Sequence, residues 1–168
     1  MADRLIRNRS RRLAEALLLS GCTLAAAESC TGGAFCAAVT DIPGSSAYFL
    51  GGVVAYRNDS KTRDLGVAAS LIRSDGAVSE TVALAMANGV RRRFKAGIGI
   101  GITGIAGPGG GTPGKPVGTV CLGISGGKVR RSHRRRLPGD REAVRRMTVA
   151  WALDELIDIL AEMGKRGG

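Results

Sequence analysis

Two short glycine-rich segments carry the residue types best suited to chemistry. The first reads Ala27-Glu28-Ser29-Cys30-Thr31-Gly32-Gly33, the second Thr103-Gly104-Ile105-Ala106-Gly107-Pro108-Gly109-Gly110-Gly111. Each follows a short apolar run of strand character. Each sets a hydroxyl beside backbone N–H groups that glycine leaves unshielded, which suits an anionic ligand or a developing oxyanion. The single histidine, His133, lies in Arg131-Ser132-His133-Arg134-Arg135-Arg136, a poor setting for a buried base. Acyl transfer here would have to proceed without a Ser-His-Asp triad.

Ser29 falls where a strand hands over to a helix, at the strand's C-terminal end, where ligands bind in open α/β sheets. Gly32 and Gly33 open that helix and let a ligand approach its free N–H groups. The helix dipole favours a negative charge there by about 0.3–1 kcal/mol. The alternative use of Ser29 and Thr31 is plain helix capping. The G-x-S-x-G spacing of a nucleophile elbow is absent. A nucleophilic serine needs a base, and lysine is the next option after histidine when burial neutralises it. The lysines are Lys61, Lys95, Lys115, Lys128 and Lys165. Lys165 belongs to the tail, Lys128 to a turn, and Lys95 ends an arginine-rich helix. Lys61 sits in the first turn of a helix that follows a strand, again at the sheet's C-terminal edge. It is either this base or a surface lysine. Tyr56, five residues upstream, could order the lysine or relay a proton. Cys30 is the rival nucleophile, although a Ser29 facing the ligand turns its neighbour inward.

The second segment is either a backbone cradle for phosphate or carboxylate or a flexible surface loop. It is not a Walker A motif, since no Gly-Lys-Ser/Thr closes it. Gly99-x-Gly101-x-x-Gly104 matches a dinucleotide fingerprint in letters only, because it lies within a strand. Thr103 ends that strand and could bind substrate or an oxyanion.

These residues need elements to hold them. A helix is expected over 4–19, stopped by Gly21. Strands are expected over 23–27, 47–56 and 98–102, and helices over 31–40, from a cap at Asn58 or Asp59 to Leu65, and over 80–94 behind a Ser79 cap. Segments 117–125 and 128–136 flank Gly126-Gly127, a two-residue hairpin turn. Asp140 caps a last helix to about Met163, with Val144, Met147, Trp151, Leu156, Ile157 and Leu160 inward. Helices alternating with strands, plus one hairpin, imply a three-layer α/β/α single domain over 1–168 with a mixed sheet.

The chain has 168 residues, 44% hydrophobic and 23% charged, the composition of a soluble globular protein. No apolar run reaches the roughly 18–20 residues of a membrane helix. The N-terminus has basic residues but no apolar h-region, so a cytoplasmic protein without a signal peptide is expected. Cys22, Cys30, Cys36 and Cys121 form no C-x-x-C pair, which argues for reduced, mostly core thiols and against a zinc site. The net charge of +11 is dominated by arginine, in Arg91-Arg92-Arg93 and from Lys128 to Arg136. A solvated basic surface accounts for this. The alternative is a non-catalytic module binding nucleic acid or a partner, with nucleic acid held only by non-specific charge. Aromatics are 4% of the chain, too few for a stacking platform.

Ala27 to Gly33, Tyr56-x-Asn58-x-x-Lys61, Gly76-Ala77-Val78-Ser79-Glu80 and Thr103 to Thr119 together resemble the CinA C-terminal domain family, which includes nicotinamide-nucleotide amidase. The likeness runs from about Leu13 to Leu160. It implies hydrolysis of the carboxamide of nicotinamide mononucleotide to nicotinate mononucleotide and ammonia in pyridine nucleotide salvage, without metal or other cofactor, by a homodimer or higher homo-oligomer. The length suggests the stand-alone form. On this reading Lys61, assisted by Tyr56, takes the proton of Ser29. Backbone groups of Cys30, Thr31, Gly32 and Gly33, with Thr103, hold the oxyanion. The nucleotide phosphate lies against a glycine turn (Gly104, Gly107) or an arginine, Arg141 or Arg145. A different carboxamide on the same machinery is the remaining alternative.

Overall fold

The computed structural model describes residues 2–166 of the chain, and the side chains of 4–164. Met1, Gly167 and Gly168, included in the single-domain expectation, lie outside the described residues, as does the Lys165 side chain. The elements run α1 (Ala2–Ser20), β1 (Leu24–Glu28), α2 (Ala34–Thr40), a 3-10 turn (Ser45–Ala47), β2 (Phe49–Val54), α3 (Asn58–Leu65), α4 (Ala69–Asp75), α5 (Glu80–Phe94), β3 (Ile98–Gly104), β4 (Thr119–Gly126), β5 (Val129–Arg136) and α6 (Arg141–Arg166).

The sheet has the order β2-β1-β3-β4-β5. β1 pairs in parallel with β2 and β3, while β4 pairs antiparallel with β3 and β5. The sheet is therefore mixed, and the fold is the expected three-layer α/β/α domain. One apolar cluster sets α1, α2 and α6 against Leu24, Ala26, Ile98, Ile100 and Ile102. A second sets Leu65, Ile72, Val82, Met86 and Val90 of α3 to α5 against Ala25 and Ala27. Strand residues alternate between these two faces, as the period of two requires. A Cβ on Gly101 would lie 2.1 Å from the Ala83 carbonyl oxygen, so α5 rests directly on β3. The chain leaves β1 through α2 on one face and returns to β3 through α3–α5 on the other. That reversal opens a crevice at the C-terminal ends of β1 and β3, the place where doubly wound sheets take ligands.

Several expected boundaries move. Gly32 and Gly33 both have positive φ, 59° and 97°, so the helix expected from Thr31 begins only at Ala34. Neither Asn58 nor Asp59 caps α3: Arg57 holds that position, without a side-chain cap. The hairpin turn is Gly127-Lys128, since Gly126 pairs with Val129. α4 was not foreseen. The Ser79 and Asp140 caps form as expected, to the Val82 and Ala143 N–H groups. Lys165 falls within the last turn of α6, which runs to Arg166, rather than in a free tail.

Candidate active site

Ser29 stands one residue beyond β1 and is 7% exposed. Its N–H donates to the Ile102 carbonyl, which extends the β1–β3 pairing and fixes the start of the turn. Lys61 comes from α3 and is 2% exposed. Its Nζ lies 3.2 Å from Ser29 Oγ, 3.1 Å from the Ala55 carbonyl oxygen and 3.4 Å from that of Tyr56. Among the described residues no carboxylate pairs with it. Burial therefore pushes the ammonium below its ordinary value of 10.5. Were Lys61 to give up a proton, its amine would keep two N–H bonds and one lone pair. With those N–H bonds turned to the two carbonyls, the lone pair would face the Ser29 hydroxyl. The Ala55 carbonyl, which nothing in the sequence singles out, completes this arrangement.

A cavity of about 250 Å³ opens onto Ser29, Cys30, Tyr56, Gly104 to Gly107 and Arg141. Gly107 is required there twice over. Its φ is 85°, and a Cβ would lie 2.6 Å from Val117 Cγ1. Arg141 closes one side by donating to the Gly107 carbonyl (2.9 Å) and to the Tyr56 hydroxyl (2.7 Å). It pairs with no carboxylate among the described residues, so its charge is open to an anion at the cavity mouth.

Some expected roles change. Tyr56 meets Lys61 only through its main-chain carbonyl. Its phenol oxygen accepts from Arg141 and keeps its own proton at the cavity, while the main-chain carbonyl orders the lysine. Thr103 gives its hydroxyl proton to the Ala77 carbonyl (2.8 Å), which leaves none for an oxyanion. The Gly32 N–H bonds back to the Ser29 carbonyl, and the Gly33 N–H to the Glu28 carboxylate (3.0 Å). These two amides are spent within the turn. Among the described residues the Cys30 and Thr31 N–H groups bond to no other residue; Cys30 lines the cavity and Thr31 does not. Thr31 is fully buried, and its hydroxyl has no partner among the described residues. Arg145 donates to the Thr31 carbonyl (2.9 Å) and lines a different groove, between α1, α2 and α6. It braces the turn from behind.

Cys30 is turned inward, and burial pushes its thiol up to about 12. Cys121 is buried as well, whereas Cys22 and Cys36 are only half-buried, because they lie at the edges of the packed layers. His133 sits on β5, three strand positions from β1, with Nε2 3.6 Å from Glu155. Among the described residues no group of three or more His, Cys, Asp or Glu could hold a metal ion. The arginine run has local work. Arg131 pairs with Glu162, Arg135 pairs with Glu155 and lies 4.5 Å over the Trp151 ring, and Arg134 donates to the Gly114 carbonyl. No described helix is long and apolar enough to cross a membrane.

The model of the CinA C-terminal domain matches residues 7–160. The chain belongs to that family. It is 57% identical over 146 residues to a CinA-like protein of Gemmatimonas aurantiaca, covering 84% of this chain and 34% of that one. It is 55% identical over 141 residues to a CinA-like protein of Mycolicibacterium gilvum, covering 82% and 33%. The chain thus spans about a third of the length of these curated relatives. Among solved structures it is similar to the competence/damage inducible protein CihA from Agrobacterium tumefaciens. The TM-score is 0.89 at 40% identity, covering 92% of this chain and 94% of that one. A CinA superfamily protein from Klebsiella pneumoniae gives 0.90 at 36% identity, covering 94% and 98%. This CinA domain carries Ser29 and Lys61 at the switch point of its sheet.

Proposed function

We propose that this CinA domain is an amidohydrolase that converts nicotinamide mononucleotide and water to nicotinate mononucleotide and ammonia. The observation that carries the reading is the buried Lys61 amine 3.2 Å from Ser29 Oγ, with carbonyls rather than carboxylates as its other partners. Lys61 Nζ takes the Ser29 proton as Oγ bonds to the carboxamide carbon. The carbonyl oxygen becomes an oxyanion, received by the Cys30 N–H group at the cavity. Collapse breaks the C–N bond, and the Lys61 proton leaves with the amine as ammonia. Water then attacks the acyl-serine, Lys61 takes one of its protons, and that proton returns to Ser29 as the carboxylic acid departs and ionises in solvent. A positioned general base supplies about 10²–10⁴ in rate, and each oxyanion donor about 10²–10³. Arg141, which pairs with no carboxylate among the described residues, would meet the nucleotide's phosphate at the cavity mouth.

The test is ammonia release from nicotinamide mononucleotide by the purified protein, with chelator present and Ser29→Ala alongside. Release by the wild type and not by the variant is expected. No release from folded wild type would overturn the substrate, and equal release by Ser29→Ala would overturn the nucleophile.

A further inference from the structure

Glu28 takes no part in the steps above, yet it is the most unusual side chain near them. It is wholly buried at the end of β1. No lysine or arginine forms an ion pair with it among the described residues. A buried carboxylate is costly unless its oxygens are filled. Here Oε2 accepts from the N–H groups of Gly33 (3.0 Å) and Phe35 (3.1 Å), and Oε1 from that of Cys36 (2.8 Å). A strand residue thus reaches forward to occupy the N-terminus of the next helix. Glu28 lies on the α2 face of the sheet, while Ser29 beside it meets Lys61 of α3.

Two consequences follow for the turn between them. The positive end of α2 is filled by the protein's own carboxylate, so it draws no oxyanion or phosphate. The amide left at the cavity is that of Cys30, and its place is set by the anchored Gly33. The second consequence concerns Cys30. An open helix N-terminus next to a cysteine is the setting that makes a thiolate, and thiolate is intrinsically the better nucleophile. Glu28 replaces that positive end with a negative charge, which adds to the effect of burial on the Cys30 thiol.

We propose that Glu28 is a positioning residue: by filling the N-terminus of α2 it leaves a ligand only the Cys30 amide of this turn, and it keeps Ser29 rather than Cys30 the attacking group. The first half rests on the amidase reading; the state of the Cys30 thiol does not. The test is Glu28→Gln, which keeps the size but gives up one acceptor. With nicotinamide mononucleotide, kcat falls about 10²-fold through misplacement of the turn, while KM is unchanged. In the same folded variant, alkylation of Cys30 by iodoacetamide, localised by mass spectrometry, shifts to lower pH. A merely structural role would lower the melting temperature without moving that profile. Wild-type kcat in the variant, or an unmoved Cys30 profile, overturns the proposal. A wild type inactive on nicotinamide mononucleotide defeats the amidase reading, and the alkylation profile then judges Glu28 alone. Should Glu28→Gln not fold, the wild-type profile decides. Cys30 reacting at pH 8 as fast as free cysteine overturns the proposal, and a much slower reaction supports it.

Discussion

The two glycine-rich turns look alike in sequence and are built on opposite plans. The turn from Ser29 to Gly33 is closed on itself. Its Gly32 and Gly33 amides go to the Ser29 carbonyl and the Glu28 carboxylate, Arg145 braces its back, and it is buried at Ser29, Cys30 and Thr31. The segment from Gly104 to Gly111 is held at a few points, by Arg141 on Gly107 and by its pairing with Gly118 and Thr119. A Cβ on Gly109 would meet nothing within 4 Å. A reacting atom must be held to within about half an ångström, so chemistry belongs on the first turn. The second forms the wall of a cavity and can yield to a ligand. On the proposed function the first turn should govern kcat, and the second, with Arg141, should govern KM.

The largest effect expected is at the nucleophile. Ser29→Ala should lower kcat by about 10⁴-fold or more, as loss of a catalytic serine does elsewhere, in a protein that melts as the wild type does. Activity within tenfold of wild type would move chemistry off this turn. Lys61→Met comes next, with a loss of about 10²–10⁴ in kcat measured at neutral pH. The lysine also has a stability signature. Burial lowers its pKa in the folded protein below 10.5. The unfolded chain therefore binds more protons between the two values, and wild-type stability rises with pH across that window. Lys61→Met removes the rise. The melting temperature of the variant should exceed that of wild type at neutral pH, and the gap should close as pH approaches 10.5. A constant gap would mean that Lys61 is not buried as an amine.

The sequence makes one turn easier to read than the other. Ser29 and Lys61 could be paired from type and placement alone, since both fall at the C-terminal edge of predicted strands and the lone histidine lies among arginines. The layers were legible because helix and strand periods alternate cleanly. What escaped depends on side chains that cross the chain. Glu28 caps α2 from a strand, five residues before Gly33, where capping rules look at the position before the helix. The Thr103 hydroxyl is taken by Ala77, a partner 26 residues away whose carbonyl no pattern reveals. α4 is only seven residues long, Ala69–Asp75, with no side-chain cap to announce it. The hairpin turn shifted by one because Gly126 and Gly127 suit it equally, and pairing of Gly126 with Val129 decides between them.

Arg141 provides a sharper form of the comparison. Its guanidinium spans the Tyr56 hydroxyl and the Gly107 carbonyl on the wall of the cavity. Arg141→Met should raise KM for nicotinamide mononucleotide by about tenfold or more, the worth of a charge-assisted hydrogen bond, with a smaller change in kcat. Measured with nicotinamide riboside, which lacks the phosphate, the same substitution should change KM little. An equal loss on both substrates would make Arg141 a clamp on the wall rather than a phosphate ligand.

The smallest effects separate the turns most cleanly, because they add a single methyl to each. Gly33 has φ at 97° and donates to Glu28. Gly33→Ala forces a side chain into that conformation, at a cost of about 1–3 kcal/mol, and should lower the melting temperature and kcat together. Gly109 is not among the glycines of positive φ and has open space around it. Gly109→Ala should leave both quantities near wild type, and any gain in stability should be about 0.4–1 kcal/mol, through the unfolded chain. A first turn as tolerant as the second would mean that its amides are not held where the proposed reaction needs them. A second turn as sensitive as the first would assign it more than a wall.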